Sequence, residues 1–224
     1  VMGYILGFAR RLPAMDRMMK AGAWEKIPGR ALHECTLGVI GIGCIGGATV
    51  RRAHGFGMTL LGNDTADADA TLVRETGLRM VPKAVLLQRA DFVSIACDLN
   101  PTSHHLIGEA ELAAMKPTAV LLNLARGPLV DEGALIRALQ SGAIAGAALD
   151  VFEVEPTPAD NPLLAMDNVI ATPHSAGASD HANVAGRTRL GEEAARILKG
   201  MYPMSLVNPD VARKIPTRQP AKAI

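Results

Sequence analysis

Short apolar runs with no polar face alternate along the chain with segments whose apolar positions recur every three or four residues. The runs fall at residues 36–40, 58–62, 78–81, 92–96, 119–122, 145–149 and 169–171. A continuous run of that length is expected of a strand covered on both faces. The helical spacings predict helices after Gly46, weakly after Asp64, and at residues 82–89, 109–115, 131–141 and 178–199. Pro82 suits a first turn, and Pro117 stops the helix before it. Strands and helices alternating at this pace predict an α/β fold, a doubly wound parallel sheet built of right-handed βαβ units.

The first twenty residues carry apolar positions at Met2, Ile5, Leu6, Phe8, Ala9 and Leu12, then stop at Pro13 and resume through Met15, Met18 and Met19. The pattern predicts a helix that starts in mid-period without a capping side chain, so upstream sequence is expected. Its methionines suit packing or a subunit contact. Trp24, Pro28 and Gly29 mark an exposed arm, and the tail from Met201 to Ile224 is expected to be irregular and partly mobile.

With 49% hydrophobic residues in 224, the chain can bury a full core. A net charge of +1 without a basic run argues against nucleic acid as an obligatory partner. Apolar stretches stop far short of the ~20 residues of a membrane helix. Cys35, Cys44 and Cys97 are scattered in no metal-binding spacing, which predicts reduced thiols, no metal site and a cytoplasmic location.

Chemistry concentrates where strands end. Gly41-Ile42-Gly43-Cys44-Ile45-Gly46 follows the first strand. The first glycine allows the tight turn, the second lets a pyrophosphate approach the backbone, and the third lets the helix pack on the strand. Asp64, at the end of the next strand, would accept hydrogen bonds from ribose hydroxyls and repel a 2′-phosphate, which predicts NAD rather than NADP. Ligands bind beyond the carboxyl ends of such strands, and Asn123, Arg126, Asp150, Glu155 and Pro173-His174 all fall there. Arg126 can grip a carboxylate and polarise a carbonyl. His174 can move a proton, Glu155 can hold its imidazole in one tautomer, and Asp150 can orient a nicotinamide carboxamide. Together they suit hydride transfer to a 2-keto acid. His33, His54, His104, His105 and His181 read as structural or surface residues, and Glu153 as solvated.

Four stretches carry a family resemblance: 36–46, 123–132 (Asn-Leu-Ala-Arg-Gly-Pro-Leu-Val-Asp-Glu), 147–156 (Ala-Ala-Leu-Asp-Val-Phe-Glu-Val-Glu-Pro) and 172–177 (Thr-Pro-His-Ser-Ala-Gly). Through them the chain resembles the D-isomer-specific 2-hydroxyacid dehydrogenases over nearly all of residues 1–210. The resemblance implies Arg126 as the binder of substrate carboxylate and carbonyl, Glu155 as the orienter and His174 as the acid–base. It implies a Rossmann-type NAD-binding domain over residues 1–177. Gly41, Gly43, Cys44, Ile45 and Gly46 would face the pyrophosphate and Asp64 the ribose. Cys97 would lie near the adenosine side and Ala125 with Asp150 at the nicotinamide, and Arg126, His174 and Gly177 complete the cofactor-lining set. Residues 178–224 would be a remnant of a second, flavodoxin-like substrate domain.

The family begins with a substrate domain of roughly a hundred residues, a small domain's length, ahead of the helix at which this chain starts. The chain is therefore expected to be a fragment with weak activity alone and, at full length, a homodimer in which residues 1–30 could make the contact. Where the family has proline after the fourth strand, this chain has Asp98. An alternative reading is an NAD(H)-sensing binding module, since the stretch from Cys97 to Ile107 also resembles transcriptional corepressors of the same fold. The intact arginine, glutamate and histidine favour the enzyme.

Overall fold

Helix α1 (Met2–Ala9) starts with no side-chain cap and sinks Ile5 and Ala9 into the core. Helix α2 (Leu12–Lys20) follows, and none of its residues is buried. The two are separated at Arg11, which is left-handed at φ 52°. The break thus precedes Pro13, which sits in the first turn of α2, where its missing N–H costs nothing. The computed structural model describes residues 1–208 and 210–214. Within the tail read as irregular, residues 209 and 215–224 lie outside the described residues.

Seven strands form one sheet: β1 (Thr36–Ile40), β2 (Thr59–Asn63), β3 (Arg79–Met80), β4 (Phe92–Ile95), β5 (Val120–Asn123), β6 (Gly146–Leu149) and β7 (Val169–Ala171). Their order is β3-β2-β1-β4-β5-β6-β7, every pair parallel. The helices between them are α3 (Cys44–Gly55), α4 (Ala70–Thr76), α5 (Lys83–Arg89), α6 (Glu109–Ala114) and α7 (Glu132–Ser141). Asp69 and Asp131 cap α4 and α7 by accepting backbone N–H bonds from their first turns.

Successive strand residues enter opposite layers, as the two-residue period requires. Leu37, Val39, Val120 and Leu122 pack with Ile5 of α1, Val50 of α3 and Leu72 of α4. Ile40, Val93 and Leu121 pack with Leu86 of α5, Leu112 of α6 and Leu135 of α7. Both faces of the sheet are therefore covered, which is why its strands read as unbroken apolar runs.

The pairing places Asn63, Ile40, Ile95, Asn123, Leu149 and Ala171 in one row across six strands. Every residue just beyond that row lies at the carboxyl edge. The sheet order reverses between β1 and β4, so a crevice opens there.

The chain divides into two compact units, Val1–Ala176 and Gly177–Ile224. All seven strands belong to the first. It contains α8 (Asp180–Leu198), capped by the Ser179 hydroxyl, and a short α9 (Val211–Lys214). The Met204 N–H donates to Glu193 within this unit.

Candidate active site

The glycine turn leaves β1 at Gly41, whose φ of +93° is a conformation that side chains rarely adopt. A Cβ on Gly41 would lie 2.5 Å from the Cys97 nitrogen, and one on Gly46 would overlap the Gly41 carbonyl. Gly43 differs, because nothing lies within 4 Å of where its Cβ would be. No side chain caps α3, which starts at Cys44, and Ile45 is 70% exposed. An open backbone beside an uncapped helix start is the arrangement that accepts a phosphate, so these residues fit a dinucleotide.

Asp64 stands one residue beyond the row. Its carboxylate accepts from Ile42 N–H at 2.5 Å and from Ala66 N–H at 3.2 Å, so it also fastens β2 to the glycine turn. Gly43, Ile45, Asp64, Cys97, Asp98 and Asn100 are among the residues lining a cleft of about 540 Å³ at this point.

Arg126 is presented by a turn that Asn123 builds. That amide, 1% exposed, donates to the Arg126 carbonyl at 2.9 Å and accepts from Ala125 N–H at 3.2 Å. Gly127 then runs so close to Phe152 that a Cβ would overlap its carbonyl. The arginine turn is thereby pressed against the chain leaving β6. The guanidinium is exposed, donates to the Ala125 carbonyl at 2.6 Å and pairs with no acid among the described residues.

His174 Nδ1 lies 2.8 Å from Glu155 Oε2, and Glu155 Oε1 accepts from Phe152 N–H at 3.0 Å. With Nδ1 engaged, Nε2 is the nitrogen left to serve a substrate. Phe152, Pro156, Thr157 and Pro173 line a cavity of about 550 Å³ with this pair. His174 sits at φ 49°, a conformation that costs ~1–3 kcal/mol and persists where surroundings enforce it. Here its N–H donates to the Asp150 carbonyl at 2.7 Å.

Asp150 is fully buried. Its carboxylate accepts from the Thr172 hydroxyl, from Ser175 N–H at 2.9 Å and from Ala176 N–H at 2.7 Å, which binds the histidine loop to β6. The Tyr4 hydroxyl lies 2.5 Å from Thr172 Oγ1 and extends this chain into α1. Tyr4 does not stand out in the sequence, because its partner is distant in the chain, and Thr172 does so only as part of the 172–177 stretch. Gly177 begins the second unit.

Glu153, read as solvated, is exposed and is also hydrogen-bonded. It accepts from His105 Nε2 at 2.8 Å and from Glu132 N–H at 3.2 Å, and its own N–H donates to Glu132 at 3.1 Å. Asn161 donates to Glu132 at 2.7 Å. This stitching holds the segment carrying Glu155 against the start of α7. His105 is thus a brace, with His104 stacked on it at 4.0 Å.

The His174 hydrogen bond holds the Glu155 carboxyl below the usual carboxylate range, and the Ile42 N–H does the same for Asp64. Burial pushes Asp150 up, but its bonds from Thr172, Ser175 and Ala176 outweigh that and hold it low. Folded values below unfolded ones contribute stability in full above about pH 4 and lose it as pH falls through the folded values. The thermal midpoint is therefore expected to drop steeply below about pH 4. Calorimetric scans should show a shallower drop in Asp150→Asn, and an identical acid limb would count against this assignment.

Residues 2–176 match the model of the family described as D-isomer specific 2-hydroxyacid dehydrogenase, NAD binding domain. The chain is 41% identical over 222 residues to a glyoxylate reductase of Korarchaeum cryptofilum, covering 95% of this chain and 65% of that protein. It is also 41% identical over 210 residues to a D-3-phosphoglycerate dehydrogenase of Methanocaldococcus jannaschii, covering 92% of this chain and 40% of that one. A crystal structure of D-lactate dehydrogenase with NAD+ from Lactobacillus jensenii superposes with a TM-score of 0.85 at 27% identity, over 92% of this chain and 66% of that chain. The chain thus spans about two thirds or less of the length of these relatives.

Proposed function

Because the chain belongs to the D-isomer-specific 2-hydroxyacid dehydrogenase family through its NAD-binding domain, we propose that the protein interconverts a small 2-keto acid and its D-2-hydroxy acid. The observation that carries this is the 2.8 Å contact of His174 Nδ1 with Glu155, on the edge that also presents Arg126, which pairs with no acid among the described residues. NAD(H), when bound, supplies or accepts the hydride. Arg126 holds the substrate carboxylate and polarises the adjacent carbonyl. His174 Nε2 gives a proton to the carbonyl oxygen on reduction and takes it back on oxidation. Glu155 keeps Nδ1 protonated and stabilises positive charge on the ring. Asp150 acts at the nicotinamide end through the loop it fastens, beside Ala125. The presence together of Arg126, Glu155 and His174 favours an enzyme over a cofactor-sensing corepressor.

We further assign residues 178–224 to a second, substrate-side domain, and place a homodimer contact within residues 1–30, where Trp24 is 82% exposed. A cytoplasmic location fits three free cysteines. Among the described residues no helix is long and apolar enough to cross a membrane. The test is steady-state oxidation of NADH by the whole protein across a panel of small 2-keto acids. Turnover of none of them, with NADH bound, would overturn the reading.

Cofactor choice is expected to rest on Asp64. Titration calorimetry should show NADH binding well ahead of NADPH, with the gap narrowing in Asp64→Ala. Equal affinities in the unaltered chain would remove Asp64 from this role.

A further inference from the structure

We propose that Asp98 is a second discriminator of the cofactor, acting beside Asp64 to exclude a 2′-phosphorylated nucleotide from the adenosine end of the cleft. The proposal rests on the reading that this cleft holds NAD(H). Asp64 follows β2 and Asp98 follows β4, the strands on either side of the one that feeds the glycine turn. Their row positions, Asn63 and Ile95, are both paired with Ile40. The two acids therefore flank the turn, and both line the same cleft of about 540 Å³. Among the described residues that line it, they are the charged ones, with no lysine, arginine or histidine to offset them.

The two carboxylates are differently engaged. Asp64 spends part of its charge on the N–H groups of Ile42 and Ala66. Asp98 is exposed, and its carboxylate has no hydrogen bond or ion pair among the described residues. Its backbone is nonetheless held in place. The Asp98 carbonyl accepts from the Ser103 hydroxyl at 2.7 Å, and Asn100 Oδ1 accepts from Thr102 N–H at 2.9 Å and Ser103 N–H at 3.2 Å. The field of both acids is felt by a third group in the cleft. Burial raises the Cys97 thiol, and the Asp98 and Asp64 charges raise it further. A 2′-phosphate brought into this space meets two negative charges, one of them undamped by any donor among the described residues.

At a surface-like dielectric, one such charge within the cleft weakens a phosphorylated ligand by about tenfold at low salt, and screening reduces this at high salt. Asp64 also bonds the ribose hydroxyls in this reading, so its contribution survives salt. That of Asp98 does not.

The experiment is titration calorimetry of NADH and NADPH on the full chain, unaltered and as Asp64→Ala, Asp98→Asn, Asp98→Glu and the Asp64→Ala/Asp98→Asn double variant. Each is run at about 20 mM and about 500 mM salt. Asp98→Asn is expected to cut the NADH-over-NADPH preference by about tenfold at low salt and much less at high salt. Asp98→Glu should keep the preference, and the double variant should fall below Asp64→Ala alone. If Asp98→Asn disturbs the turn and weakens both nucleotides, the ratio of affinities still reports discrimination, since the turn serves both alike. A ratio unchanged by Asp98→Asn in either background would overturn the proposal while leaving the cofactor reading intact. Failure of both nucleotides to bind the unaltered chain would overturn the cofactor reading and the proposal with it.

Discussion

His174→Ala in the whole enzyme is expected to lower turnover of a 2-keto acid by about 10²–10⁴-fold, the usual worth of a positioned acid–base, while NADH affinity holds. The reason lies in the division of labour between the two ring nitrogens. Nδ1 is committed to Glu155 at 2.8 Å, so in the proposed reaction Nε2 is the nitrogen left to meet the substrate oxygen. Removing the ring leaves the Arg126 clamp and the glycine turn untouched, which is why binding and chemistry should separate. Glu155→Gln tests the same pair differently. An amide can still accept from Nδ1, but it lacks the charge that stabilises a protonated ring. The alkaline limb of the pH–rate profile for reduction should therefore move to lower pH, at a smaller cost in maximal rate. Stopped-flow NADH oxidation across pH reads both variants. A Glu155→Gln profile that overlays the unaltered one would leave Glu155 a purely structural residue, and a His174→Ala enzyme with normal turnover would end the mechanism.

Gly127→Ala is expected to damage both stability and chemistry, although glycine contributes no functional group. The added methyl would overlap backbone atoms of Phe152 and Glu153 rather than the flexible end of a side chain. Overpacking of this kind costs ~1–3 kcal/mol and occasionally more. The clash has a functional direction, since Gly127 adjoins Arg126 and the obstructing segment leads to Glu155. Relief of the overlap must push the carboxylate clamp away from the proton relay. A displacement of about 1 Å in such a site can lower turnover ~10²-fold. Gly133→Ala is the matched control, because a Cβ there meets nothing closer than 3.4 Å. In the helix α7 it should be neutral or stabilising. Urea unfolding together with single-turnover kinetics would check both, and a Gly127→Ala protein as stable and as fast as the unaltered one would show that the two loops tolerate separation.

The sequence alone determined the features whose cause is local. Strands buried on both faces must be apolar throughout, so β1, β4, β5 and β6 are readable to within a residue or two from their runs alone. The glycine spacing specified a turn, an approach and a close packing, and Gly41, Gly43 and Gly46 show these as positive φ, open space and backbone contact. Arg126, Glu155 and His174 could be assigned to one edge because a parallel sheet delivers all its strand ends there, so position after a strand is already position in space.

Tertiary structure decided which groups face one another there. Asp150 reads as a residue of the strand-end edge, and only the fold shows its carboxylate also fastening the loop of His174. Glu153 reads as solvated and is exposed, but its bonds to His105 and Glu132 come only from the fold. Tyr4 reaches Thr172 across 168 residues, a pairing that no local pattern encodes. The helix break at Arg11 rather than Pro13 belongs to the same class. Period and turn chemistry are properties of neighbours in the chain. A polar side chain near a crowded edge has several partners of the right chemistry, and the packing of distant segments selects among them.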